Sequence, residues 1–216
     1  MEVFESIKPV IPPNLGWLDC KVSDDIMHKM SETIRMGEEK NISASERLAG
    51  HLFKEFSILE DANWFIQEVI APLIDSYEYN FKSLSGDMMT KNHRYTALDL
   101  WVNYQRKGDF NPIHYHSGAY SFVLFFNIPT NWETENQEVL NVKKEPCISD
   151  FSFVYSDLLG EIKQEYFHLN ESDNGRLIFF PAKLRHLVNP FYKSDDLRIT
   201  ISGNIGLNSD LVIEPL

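Results

Sequence analysis

Two histidines one residue apart, His114 and His116 in "NPIHYHSG", stand just ahead of the apolar run "AYSFVLFFNIP". In an extended strand, residues i and i+2 project to the same face, so two imidazoles there can converge on one ion. Alone, the pair is equally well the polar end of a strand. A third histidine, His186, follows the strand-like "GRLIFFP" after a short turn, in a chain with only seven histidines. Closed β-structures bring such distant strand ends to one mouth. Arg198 lies on the polar side of "DLRITISGNI", with Thr200 and Ser202 on the same side. It faces either solvent from an edge strand or the interior. Facing inward, its planar fork would grip a carboxylate through two hydrogen bonds, holding the far end of a dicarboxylate chelated by a nearby metal.

The elements that must position these residues change character along the chain. Pro12 and Pro13 keep the opening "IKPVIPPNLGW" extended. Ser23 is an N-cap candidate for a helix over "DDIMHKMSETIRMGEE", with acids in the first turn and Ile26, Met30 and Ile34 on one stripe. Residues 37–47 read as polar loop, and "LAGHLFKEFSI" fits no pattern clearly. "DANWFIQEVIAPLIDSYEYNFKSL" carries a helical rhythm with a break expected at Pro72. From about Ala97 the period becomes two. In "ALDLWVNYQ", Leu98, Leu100, Val102 and Tyr104 share one face, and Asp99, Trp101, Asn103 and Gln105 the other. Trp101 and Asn103 then line either the interior or a helix contact. "AYSFVLFFNIP" reads as a strand buried on both faces, residues 130–150 as a polar insertion, and "FSFVYSDLL" and "EIKQEYFHL" as strands. Helices followed by short strands predict a mainly β, α+β fold: an antiparallel core with helices against its outside. One domain is expected over 1–216, with 1–95 a helical support and 96–206 the core.

The composition excludes some functions. The formal net charge is −12, which disfavours nucleic acid and anionic membranes as partners, since both attract basic proteins. No run approaches the length of a membrane span. The N-terminus lacks the basic and apolar regions of a signal peptide. Cys20 and Cys147 are expected to be free thiols in a reducing compartment, which makes the cytoplasm the expected location. His51, His93 and His168 have no partner in the pattern and read as surface or packing residues.

Taken together, "WVNYQRKGDFNPIHYHSGAYSFVLFFNIP" and "GRLIFFPAKLRHLVNPFYKSDDLRITISGN" resemble the 2-oxoglutarate and Fe(II)-dependent oxygenases, in particular a group, many encoded by bacteriophages, related to prolyl hydroxylases. Gly108 and Phe110 precede the first histidine, His186 matches the distal histidine, and Arg198 with the trailing "RITISGN" matches the basic anchor. The resemblance implies a double-stranded β-helix, or jelly roll, of the cupin kind. It also implies Fe(II), with 2-oxoglutarate and dioxygen as cosubstrates. His114, His116 and His186 would hold the metal. Arg198, supported by Thr200 and by Tyr104 ten residues before His114, would hold the oxoglutarate.

This chain departs from the family pattern at His116, where most relatives have a carboxylate. Either His116 is the third ligand of a three-histidine site, or an acid such as Asp109 moves in, or the site holds two ligands or no metal. The first is preferred, because Asp109 lies at an offset that points it to the wrong side of a strand. The resemblance implies an oxidoreductase, a hydroxylase acting on a peptidyl proline, another peptide or protein, or a small molecule. A nucleobase is less favoured. If phage-encoded, it would work in the host cytoplasm. Two rivals remain: a three-histidine dioxygenase that needs no oxoglutarate, and an inactive barrel with a structural or binding role.

Overall fold

The computed structural model describes residues 8, 15–44, 50–81, 92–138 and 146–213. Two antiparallel sheets face each other. The larger has six strands in the order β1-β8-β5-β10-β3-β2, and the smaller has four in the order β4-β9-β6-β7. In chain order the strands are β1 (Leu18–Lys21), β2 (Lys54–Ser57), β3 (Asn92–Gln105), β4 (Asn111–His114) and β5 (Tyr120–Asn127). Then come β6 (Phe151–Ser156), β7 (Ile162–Phe167), β8 (Arg176–Pro181), β9 (Arg185–Val188) and β10 (Arg198–Ile213). Helices cover the outer face of the larger sheet. The expected mainly β architecture is observed, with two strands, β1 and β2, contributed by the stretch read as helical support.

Helix α1 (Asp24–Lys40) begins at Ser23, whose hydroxyl accepts from the Ile26 N–H at 3.4 Å, with Asp24 and Asp25 in the first turn. It runs past residue 37, where loop was expected, and ends on Asn41 in the left-handed region. Met30, Thr33, Ile34 and Gly37 form its buried stripe. Gly37 permits close approach: a Cβ there would lie 2.4 Å from Ile58 Cγ2. The second helical stretch comprises α2 (Asn63–Phe65), a π turn (Ile66–Ile70) and α3 (Ala71–Phe81). The break predicted at Pro72 takes the form of this preceding π turn. Proline has no N–H to offer the carbonyl one turn back, and the backbone widens to i→i+5 bonding instead.

Alternation divides the larger sheet cleanly. Leu100, Val102, Tyr104, Tyr120, Phe122, Leu124, Leu177, Phe179, Ile201 and Ile205 join Phe56 and the helices in one core cluster. The intervening residues of the same strands face the smaller sheet. There Val123, Phe125, Ile178 and Phe180 pack with Phe151, Phe153 and Phe167 in a second cluster. β5 contributes to both, so its side chains are apolar on both faces. The space between the sheets is therefore apolar at one end and polar where β3 and β10 present Asn, Gln, Thr, Ser and Arg.

Candidate metal and cosubstrate site

The three histidines meet at that polar end. β4 and β9 are antiparallel neighbours with His114 directly opposite His186, and the ring centroids are 4.2 Å apart. His116 follows β4, held by its backbone N–H to the Ala182 carbonyl at 2.8 Å. Its ring centroid lies 5.0 Å from that of His114 and 4.9 Å from that of His186. One nitrogen from each ring lies within 4.8 Å of the other two. The outward nitrogens are engaged. His114 Nδ1–H donates to the Pro112 carbonyl at 2.7 Å, and His186 Nδ1–H to the Leu184 carbonyl at 3.0 Å. Those carbonyls fix the tautomer and leave Nε2 of both rings as an inward lone pair, the state a metal ligand requires. Nε2 of His116 and Nε2 of His186 face each other at 3.1 Å.

The electrostatics agree. Burial holds all three imidazoles below their ordinary range. His116 is pushed down to about 4, with the charge of His114 adding to desolvation. His186 falls well below, chiefly by desolvation, and His114 is also lowered. Neutral imidazole is the ligating form. This donor set fits a divalent transition metal such as Fe(II), Zn(II) or Cu(II). Asp109 is not drawn in: its carboxylate accepts from the Phe53 and Arg106 N–H groups.

From the histidines a cleft, open at its mouth, runs between the sheets. Trp101, Asn103 and Gln105 of β3 line it with Arg198, Thr200 and Ser202 of β10. Arg198 pairs with Gln105, Thr200 with Asn103 and Ser202 with Trp101 across the two strands. Asn103 Nδ2 donates to Thr200 Oγ1 at 3.0 Å and Ser202 Oγ at 3.3 Å, and Trp101 Nε1–H donates to Asn103 Oδ1 at 2.9 Å.

Arg198 is 1% exposed. Its Nη2 donates to the carbonyl oxygen and the hydroxyl of Ser149, and Nη1 to Gln105 Oε1 at 3.4 Å. The guanidinium also lies over the Phe191 ring. Its Nε–H is buried and, among the described residues, has no partner. Burial lowers the guanidinium to about 10, offset by the charges of Glu135 and Asp150, so it stays protonated at neutral pH. Glu135 is itself held by the backbone N–H groups of Tyr192 and Lys193. Asp150 is pushed up to about 6 by burial, opposed by the hydrogen bond to His168 at 2.9 Å and by the Arg198 charge.

Of the expected site residues, the structure brings together His114, His116, His186, Arg198 and Thr200. It does not bring Tyr104 to them. That residue lies on the helix-facing side of β3, and its hydroxyl donates to Glu38 Oε1 at 2.9 Å while its ring stacks on Phe56. The reason is the strand's own alternation, which sends Asn103 and Gln105 inward and Tyr104 outward. Sequence reasoning missed Gln105, Ser149, Asp150 and Glu55, and left Trp101 and Asn103 undecided. The same alternation was the signal for β3. Ser149 and Asp150 carried none, since they reach Arg198 from the end of the polar 130–150 stretch. Nor did Glu55, which lies on the four-residue strand β2.

Residues 99–204 match a family model described as "Putative 2OG-Fe(II) oxygenase". The core of this chain is a 2OG-Fe(II) oxygenase domain. Enzymes of this family are oxidoreductases that use Fe(II), 2-oxoglutarate and dioxygen. The fold is shared with a prolyl-4-hydroxylase of Pseudomonas putida at 12% identity, covering 90% of this chain and 94% of that one, TM-score 0.52. It is shared with a prolyl hydroxylase of Trichoplax adhaerens, solved with a hypoxia-inducible-factor oxygen-degradation-domain peptide fragment, at 12% identity, 90% and 84% coverage, TM-score 0.53. It is also shared with the α-ketoglutarate-dependent carbocyclase SnoK of nogalamycin biosynthesis at 8% identity, 90% and 80% coverage, TM-score 0.54. No curated protein matches the chain. Among the described residues, no helix is long and apolar enough to cross a membrane.

Proposed function

We propose that this oxygenase is a hydroxylase whose metal is held by three histidines, His114, His116 and His186, with Arg198 anchoring the distal carboxylate of 2-oxoglutarate. The observation that carries this is the cleft's layout. Three inward imidazole nitrogens stand at one end of a polar row, and a buried guanidinium with an N–H unpartnered among the described residues stands at the other. Fe(II), once bound with 2-oxoglutarate and dioxygen, supplies the oxidising power that inserts oxygen into a substrate C–H bond, releasing succinate and carbon dioxide.

The chain's own residues do the rest. The Pro112 and Leu184 carbonyls hold two imidazoles in register before any ligand arrives. Ser149 and Gln105 fix the guanidinium plane. Asn103 orients the hydroxyls of Thr200 and Ser202 along the path between anchor and histidines. Phe125, Phe151 and Phe180 line the inner wall and keep water away. The substrate class this favours is a peptide or protein, a proline side chain included, with a small molecule second. The peptide fragment in the Trichoplax structure supports the first, and the likeness to SnoK, a carbocyclase of nogalamycin biosynthesis, supports the second.

An anaerobic titration tests the reading. Apo-protein would receive Fe(II), then 2-oxoglutarate, watched for the visible charge-transfer band of a chelated 2-oxo acid. The band should appear in wild type and be lost or weakened in His116→Ala and Arg198→Ala. Metal binding without a band would favour the oxoglutarate-independent three-histidine dioxygenase. No metal binding would leave an inactive barrel.

A further inference from the structure

Among the described residues, the ionisable groups lining the cleft apart from the imidazoles are Arg198 and Glu55, and the role just described leaves Glu55 unused. Glu55 is 9% exposed. Among the described residues its carboxyl has no hydrogen-bond or ion-pair partner, and burial pushes it up to about 7. A largely buried carboxyl that reaches only the cleft and has no protein partner is well placed to be completed by a ligand there.

Strand register places it. Glu55 lies opposite Asn103, and Asn103 opposite Thr200, so the three form one row across β2, β3 and β10. At strand spacings of about 4.8 Å, Glu55 is about 10 Å from Thr200 along that row. The oxoglutarate path follows β10 from Arg198 past Thr200 and Ser202, so Glu55 lies off it, on the edge strand of the sheet. Its charge would also repel a dicarboxylate. Diagonally across the β2–β3 pair, about 7–8 Å away, is Trp101, whose ring centroid is 5.7 Å from that of His116. Leu52 and Trp101 line the cleft beside Glu55, apolar flanks of the kind that take the methylene stem of a long cationic side chain.

We propose that Glu55 determines specificity, selecting a substrate that presents an amine or guanidinium to it within the cleft that also holds the three histidines. This rests on the oxygenase reading above and narrows its substrate class to cationic peptides or amines.

The test is a binding selection, independent of turnover. Wild type, Glu55→Gln and Glu55→Lys, each loaded anaerobically with Fe(II) and 2-oxoglutarate, would be exposed to a positional library of N-acetylated pentapeptide amides. Agmatine and hexylamine would be included with their neutral isosteres. Wild type should prefer Lys or Arg over norleucine at one position, or amines over isosteres, by about tenfold. Glu55→Gln should cut that below about threefold, and Glu55→Lys should turn it toward acidic residues. Failure of wild type to retain cationic probes preferentially, or a preference unchanged in both variants, overturns the proposal. The charge-transfer band separates the two readings. An intact band with a flat preference removes only the role of Glu55, and a missing band in wild type removes the oxygenase reading beneath it.

Discussion

Glu55→Gln should stabilise the protein, and increasingly so as pH rises. The carboxyl titrates near its ordinary 4.5 when the chain is unfolded and at about 7 when folded. Between those values the folded state keeps a proton that the unfolded state has lost. Folding stability therefore falls as pH rises through the window and levels off above it. The two values give a loss of about 1.4 kcal/mol at about pH 5.5 and about 3.4 kcal/mol at about pH 8.5. Glutamine does not titrate, so the stability difference between variant and wild type should grow by about 2 kcal/mol across that range. Whatever the buried amide itself costs is the same at both pH values and drops out. The histidines titrate alike in both proteins and also cancel, provided they do not couple to Glu55. For a chain of this length the change corresponds to about 4–8 °C in melting temperature. Paired melts of the two apo-proteins at stepped pH, checked by urea titration at the extremes, would measure it. A difference constant to within about 0.5 kcal/mol would show that the carboxyl is solvated or partnered. That result would remove the physical premise for Glu55 as a ligand-seeking group.

Tyr104→Phe should cost about 1 kcal/mol, the loss of one hydrogen bond, and leave the oxoglutarate charge-transfer titration unchanged. A several-fold weaker titration would return Tyr104 to the site. Arg198→Lys keeps the charge but loses the planar fork, so the band should need about tenfold more 2-oxoglutarate while Fe(II) binding holds; an unchanged titration curve would show that the anchor is elsewhere. Gly37→Ala, helix-favouring by about 1 kcal/mol in isolation, should instead destabilise by about 1–3 kcal/mol because its Cβ meets Ile58. A raised melting temperature would mean that α1 can shift away.

Much of this site was legible because strands alternate. The sequence of β10 separates Arg198, Thr200 and Ser202 from the isoleucines, and the structure sends the first set inward. The same rule applied to β3 names Asn103 and Gln105. Tyr104 was placed in the site by resemblance, against the alternation, and the alternation prevailed. The convergence of His114, His116 and His186 was visible only as three residues at strand ends. That His114 and His186 are direct cross-strand partners depends on the pairing of β4 with β9, which no local pattern states. Glu55 was invisible because four residues of β2 are too few to show a period. Ser149 and Asp150 were hidden because their position depends on how the chain returns after residues 130–150. The π turn before Pro72 was foreseen as a break but not as a form. Proline dictates which bond is lost, and the surrounding packing dictates how the helix repairs it.

His116 bears on cosubstrate affinity through charge. Arg198 does not offer a bare positive charge, because the negative charges of Glu135 and Asp150 act on it. With both acids ionised the three groups sum to −1, and with Asp150 protonated to zero. A dicarboxylate entering the cleft is then drawn mainly by the other end. There three neutral imidazoles leave a bound divalent cation its full charge, whereas an aspartate at position 116 would remove one unit. His116→Asp, which puts a carboxylate in the imidazole's place, should therefore still bind metal but require roughly tenfold more 2-oxoglutarate for the same band, an interaction of the size expected between partly screened charges in a protein. Asp150→Asn in the His116→Asp background should recover part of the loss by removing a repulsive charge at the anchor. The comparison is a set of anaerobic titrations at constant ionic strength. Tighter oxoglutarate binding in His116→Asp would refute the charge argument and leave ligand geometry as what matters at that position.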